Sequence, residues 1–98
     1  MSGEKEESDN VVFIGSKPFM NYVTSLIVQF TNKKHSEVVV KARGRWIARA
    51  VDVVESVRKR FLKDENLKIK NILIDSEEVE NRGGKKVNVS LIEITLRK

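Results

Sequence analysis

From Arg45 to Lys63 apolar residues return at helical spacing, and this one segment limits the folds open to the chain. At 100° per residue, Trp46, Ile47, Ala50, Val51, Val53, Val54, Val57 and Phe61 fill an apolar arc of roughly 160°, against the ~100° that one core-facing stripe needs. Arg45, Arg49, Asp52, Ser56, Lys59 and Lys63 occupy the other side. An arc this wide covers a sheet and still leaves a rim. We expect that rim to meet a second copy of the chain, since two-fold homodimers are the commonest assemblies.

The rest of the sequence supplies the sheet. Glu37 to Arg43 alternates, with Val38, Val40 and Ala42 on one face and Val39, Lys41 and Arg43 on the other. Gly44 breaks it just before the helix. Earlier, Asn10 to Ile14 is a short β-branched run ended by Gly15, as a buried strand requires. Pro18 suits the first position of a helix, and Ser16 is placed to offer a hydroxyl to its free amides. Over 18–32, Phe19, Val23, Leu26, Ile27 and Phe30 share one face, opposite Asn21, Ser25 and Gln29. This segment carries no charge, which predicts a helix mostly buried or facing another subunit.

After the turn at Asp64-Glu65-Asn66, Leu67 to Ile74 and Val87 to Leu96 read as two long strands, with Gly83-Gly84 as the turn signal between them. A two-residue turn there pairs Ile74 with Glu93. A three-residue loop, Gly83 to Lys85, pairs Ile74 with Ile94 and Ile72 with Leu96. A one-residue slip moves every side chain to the other face, so an odd-length loop or an equivalent bulge is expected. The apolar parity also shifts between Ile69 and Ile72 and between Leu91 and Ile92, which predicts a bend between a core half and a projecting half. The expected fold is therefore α+β: one compact domain over 11–98 in the order β-α-β-α-β-β, with a four-stranded mixed sheet, two helices and a long projecting β-hairpin. Residues 1–10 are polar, acidic and aperiodic, and are expected to form a disordered tail.

Charge narrows the function. The chain has 98 residues, enough for one modest core. Its net charge of +5 becomes +8 over 11–98 once the −3 of residues 1–10 (Glu4, Glu6, Glu7 and Asp9 against Lys5) is set aside. Such a balance suits a polyanion partner, although charge-rich thermophile surfaces share the composition. The absence of cysteine excludes disulfides and thiolate metal sites. No apolar run approaches the roughly 18 residues of a membrane span, so a cytoplasmic protein is expected. The apolar residues of the basic helix are needed for the core rather than for a membrane surface. His35 has no companion ligands at metal spacing. Asp52 and Glu55 lie one turn apart among Arg49 and Lys59, which favours ion pairs over acid–base chemistry. No enzyme activity, cofactor, metal or small-molecule substrate is expected.

The cations concentrate at two places. Lys41, Arg43, Arg45 and Arg49 cluster at the strand–glycine–helix junction, where the positive end of a helix dipole disfavours them. A phosphate is the natural missing counter-charge, and Lys17 repeats the pattern at the other helix entrance. Arg82, Lys85 and Lys86 crowd the glycine-bearing tip of the hairpin, an arm suited to phosphates or a minor groove. The same tip composition also serves to block edge pairing. Tyr22 and Trp46 are the aromatics available to stack on unpaired bases. Arg58, Lys59, Arg60 and Lys63 complement the dipole at the second helix's C-terminus, with Arg60 and Phe61 also suited to a protein contact.

The segments Gly15-Ser16-Lys17-Pro18-Phe19-Met20-Asn21-Tyr22 and Lys41-Ala42-Arg43-Gly44-Arg45, together with Ala50-Val51-Asp52 and Val57-Arg58-Lys59-Arg60-Phe61-Leu62, resemble the Alba family of archaeal chromatin proteins. The similarity covers nearly the whole chain after the acidic tail. It implies a dimer that binds double-stranded DNA with little sequence preference, coats and compacts the chromosome, and usually binds RNA as well. An RNA-binding protein or ribonucleoprotein subunit is the alternative function, and a heterodimer with a paralogue is the alternative to the homodimer. The resemblance assigns nucleic-acid contacts to Lys17, Arg43 and Arg45, and minor-groove reach to Arg82, Lys85 and Lys86. It assigns a dimer-to-dimer contact on DNA to Arg60 and Phe61. Two positions depart from the pattern. Ser16 stands where many members carry an acetylated lysine, which excludes that regulation and removes a phosphate contact. Trp46 replaces a small residue, leaving open whether it packs at a dimer seam or beside the duplex.

Overall fold

The computed structural model describes residues 10–98, so the expected acidic tail lies outside the described residues except for Asn10. Asn10 itself is already joined to the sheet: its carbonyl accepts from the Val39 amide at 2.9 Å. The elements are β1 (Val11–Phe13), α1 (Phe19–Thr31), β2 (Glu37–Arg43), a 3-10 turn (Gly44–Trp46), α2 (Ile47–Ser56), a π turn (Val57–Phe61), a second 3-10 turn (Lys63–Glu65), β3 (Lys68–Glu80) and β4 (Lys86–Arg97). The sheet order is β1-β2-β4-β3. β1 runs parallel to β2, and both other pairings are antiparallel. This is the expected α+β fold with a four-stranded mixed sheet.

Alternation decides which face is covered. Val12, Ile14, Val38, Val40, Ala42, Ile92, Ile94 and Leu96 point to the helix side and are buried. They form one cluster with Val23, Leu26 and Phe30 of α1 and with Ala50, Val53, Val54 and Val57. Each fully buried aliphatic or aromatic side chain contributes roughly 1.5–3 kcal/mol relative to exposure. The uncharged α1 thus owes its place to its apolar stripe, with Gln29 also buried.

The second helix is not the single rod expected over Arg45 to Lys63. It begins as a 3-10 turn and ends in a wide π turn, where the Leu62 amide donates to the Val57 carbonyl at 2.8 Å. Leu62 then leaves helical geometry at φ −124°, ψ 37°. Widening this last turn keeps Val57 buried while Arg60 and Phe61 remain exposed. Such turns concentrate at functional sites.

The hairpin corrects the expected register by two residues. Ile74 faces Ile92 and Ile72 faces Ile94, and the strands pair out to Glu80 and Lys86. The loop is odd-length as expected, so the side chains from Asn71 to Glu80 keep their predicted face, but it has five residues, Asn81 to Lys85. The cause is Asn81. Its Oδ1 accepts from the amides of Gly83 (2.9 Å) and Lys85 (3.0 Å), and its amide donates to the Lys85 carbonyl at 2.8 Å. These bonds close the turn one residue earlier than the glycine pair suggests, with Gly84 at φ +82°. In β3 the parity change coincides with a bulge between Ile69 and Asn71. In β4 the pairing runs unbroken through Leu91 and Ile92, so the parity change there only exchanges an apolar open face for an apolar helix-side face. β2 ends at Arg43 opposite Leu91. Beyond that row the two strands continue as a projecting ribbon.

Candidate nucleic-acid interface

Both helix entrances lie at one end of the sheet, and they are physically tied. Gly44 makes the turn from β2 possible by taking φ +53°, a left-handed conformation that side chains resist. One turn into α2, Arg49 Nη1 donates to the carbonyls of Gly15 (2.9 Å) and Lys17 (2.5 Å), in the loop between β1 and α1. The same loop is held from beneath by Tyr22, whose hydroxyl accepts from the Lys17 amide at 2.9 Å. Neither helix has a side-chain cap or an acidic residue in its first turn. The arrangement therefore leaves two uncompensated helix N-termini beside exposed Lys17 and Arg45, a setting that favours an anion.

This geometry sorts the expected site residues. Lys17 and Arg45 are exposed at the paired entrances. Arg49 is half-buried and turns Nη1 onto two carbonyls, so it acts as a clamp between the two helix entrances rather than as an ion-pair partner of Asp52. Tyr22 is buried, with 8% of its surface exposed. It is a positioning residue, and burial removes the ring face needed to stack on a base. Lys41 lies directly opposite Glu93 in the ladder, with their charged atoms 3.6 Å apart. Arg43 pairs with Glu77 at 2.6 Å. Trp46 packs against the core at its margin. The guanidinium carbons of Arg45 and Arg49 lie 4.8 and 5.4 Å from its ring centroid, within cation–π range. The tryptophan thus steadies Arg45 while one edge borders an open groove of about 360 Å³ beside Phe13 and Lys41.

Arg82, Lys85 and Lys86 are exposed at the far end of the ribbon, so the arm separates them from the helix entrances. Arg60 and Phe61 stand elsewhere, on the π turn, with the guanidinium 5.7 Å from the phenyl centroid. Arg58, by contrast, is structural: it pairs with Glu55 at 2.6 Å and donates to the Leu67 carbonyl at 3.1 Å. Sequence reading missed Glu77 and Glu93 as partners of the junction cations. The only available signal was their acidity on strands whose register was not yet fixed. Among the described residues no group of three or more His, Cys, Asp or Glu is placed to hold a metal ion. No helix among them is long and apolar enough to cross a membrane.

A small α+β body with two uncapped helix entrances and a cation-tipped β-ribbon defines a class of protein with exposed cations at one end of its sheet and on a projecting arm. The family model for Alba matches residues 10–76, and the chain belongs to the Alba family. It is 49% identical over 90 residues to the DNA/RNA-binding protein Alba of Methanococcus maripaludis, covering 92% of this chain and 99% of that one. It is 52% identical over 91 residues to the DNA/RNA-binding protein Alba 1 of Archaeoglobus fulgidus, covering 93% and 98%. Among solved structures, Alba from Thermoplasma volcanium superposes with a TM-score of 0.82 at 43% identity, over 91% of this chain and all of that one. ALBA1 from Trypanosoma brucei gives 0.67 at 27% identity, over 92% and 69%.

Proposed function

We propose that this chain is a non-enzymatic nucleic-acid-binding protein that holds duplex DNA through its phosphates, with little sequence preference, and coats the chromosome as a homodimer. The observation that carries this reading is a set of five exposed cations, Lys17 and Arg45 on the body and Arg82, Lys85 and Lys86 on the arm tip. None of them pairs with a carboxylate among the described residues. Their two locations suit a long, uniformly charged ligand better than a compact one. The names of the relatives support binding of both DNA and RNA, and structured RNA is the second ligand proposed here.

Dimerisation is part of the proposal. β3 is an edge strand, and its residues Ile72 and Ile74, on the same face as buried Ile94 and Ile92, are 53% and 77% exposed. Val51 on α2 is also exposed. Two copies meeting across this uncovered edge, with a paralogue as an alternative partner, would complete the helix-side layer. Arg60 and Phe61 are then left for contacts between dimers along DNA. A soluble, chromosome-associated protein of the cytoplasm follows from this reading, with residues 11–98 proposed as the binding domain.

The test is a fluorescence anisotropy titration with long duplex DNA over a salt series, repeated with structured RNA. Five neutralised phosphates per protomer give a log–log salt slope of about −4 to −5 per protomer. A salt-independent affinity overturns the reading, and a large preference for RNA reverses the order of the two ligands.

A further inference from the structure

Arg43, one of the two arginines of the junction motif, is neutralised by the chain's own arm. Its Nη2 lies 2.6 Å from Glu77 Oε1, with the two side chains 56% and 49% exposed. Arg43 is the last residue of β2 and lies in one row with Leu91 and Asp75. Glu77 stands two residues farther out along β3, so the contact crosses β4 and joins the body to the base of the ribbon. A carboxylate oxygen at this distance presents the charge and hydrogen-bond geometry that a phosphate oxygen brings to a guanidinium. The pair is exposed on both sides, and exposed pairs are weak enough to exchange readily.

On the nucleic-acid reading given above, we infer that Glu77 is a built-in competitor for phosphate at Arg43, and that it sets the affinity of this protein for nucleic acid. While Glu77 holds Arg43, that arginine neutralises no phosphate and adds nothing to the salt slope; a phosphate that takes the place of Glu77 adds one further contact.

The geometry supplies its own control. Asp75, Glu77, Glu78 and Glu80 all lie on β3. Glu78 follows Glu77 directly and points to the opposite face of the ribbon, as alternation requires. Among the described residues it has no ion-pair partner. Glu78→Gln therefore removes the same charge at nearly the same distance without freeing Arg43. Lys41–Glu93 is a different case, a longer contact at 3.6 Å between directly opposed residues inside the body.

The experiment is the anisotropy titration with duplex DNA over a salt series, on the full chain, for wild type, Glu77→Gln, Glu78→Gln, Arg43→Ala and Glu77→Gln combined with Arg43→Ala. Glu77→Gln is expected to bind roughly two- to fivefold tighter at low salt, the range set by the strength of an exposed ion pair. Its log–log slope should steepen by about 0.9 per protomer. Glu78→Gln should leave the slope at the wild-type value, and the gain should vanish in the Arg43→Ala background. Equal behaviour of Glu77→Gln and Glu78→Gln, or a gain that survives Arg43→Ala, shows a net-charge effect and overturns the inference. Wild-type binding without salt dependence overturns the nucleic-acid reading itself and this inference with it.

Discussion

Arg49 binds the carbonyls of Gly15 and Lys17 through a single nitrogen, Nη1, at 2.9 and 2.5 Å. The second helix therefore fixes the loop that presents Lys17 ahead of the first helix. Removing the guanidinium leaves two carbonyls without their donor, one of them partly buried. Hydrogen bonds to charged groups are worth about 1.5–3 kcal/mol. Arg49→Ala is expected to lower the melting temperature by several degrees, since about 1 kcal/mol corresponds to roughly 4–8 °C in a domain of this size. It should also weaken DNA binding by releasing Lys17. A directly contacting Arg49 gives the other pattern, lost affinity at an unchanged melting temperature.

Tyr22 acts on the same loop from the core side. Tyr22→Phe keeps the buried ring and deletes the hydroxyl that accepts from the Lys17 amide at 2.9 Å. The expected cost is about 1 kcal/mol of stability, the usual value for one hydrogen bond, read by chemical denaturation. Binding should fall less than in Lys17→Ala. A base-stacking role predicts a different result for Tyr22→Ala, a selective loss of single-stranded RNA binding with duplex affinity retained.

The limits of sequence reading fall at particular residues. Period alone was enough to place α1, β2 and the core, because Val38, Val40 and Ala42 on the strand and Val53, Val54 and Val57 on the helix each obey one spacing. Arg43, Arg45 and Arg49 look alike in sequence, yet they have three separate fates: an ion pair with Glu77, an exposed cation over Trp46, and a backbone clamp. What separates them is tertiary. Glu77 reaches Arg43 because β4 lies between β2 and β3, and its two ladders set Arg43 in one row with Leu91 and Asp75, two residues from Glu77. A glycine pair advertises a turn but not which residue will close it.

Ile74 tests the proposed dimer. It is 77% exposed on a face where its ladder partner Ile92 is buried. Ile74→Lys is expected to shift the protein from dimer to monomer in size-exclusion chromatography with light scattering. Charge at an exposed strand position has little reason to unfold the protomer, and surface changes of this kind usually stay within about 0.5 kcal/mol. The Ile74→Lys protein should also lose affinity for long DNA, because its two arms no longer act together. If it remains dimeric, the interface lies elsewhere.

Phe61 separates binding from assembly on DNA. The π turn holds it 45% exposed, beside Arg60 and away from the Lys17 and Arg45 entrances. Its truncation therefore opens no cavity, and protomer stability should change by less than about 0.5 kcal/mol. Nor does it remove a phosphate contact, so the salt slope measured on a duplex just long enough for one dimer should match wild type. On long duplex DNA the expectation differs. A contact between neighbouring dimers raises the effective concentration of the second dimer at its site, and loss of Phe61 removes that gain. Phe61→Ala should give a gradual ladder of complexes in a gel-shift titration, where wild type passes abruptly from free to coated DNA. Retained abrupt coating in Phe61→Ala rules out this residue as the contact between dimers, while equal loss on short and long duplexes places it in the DNA-binding surface instead.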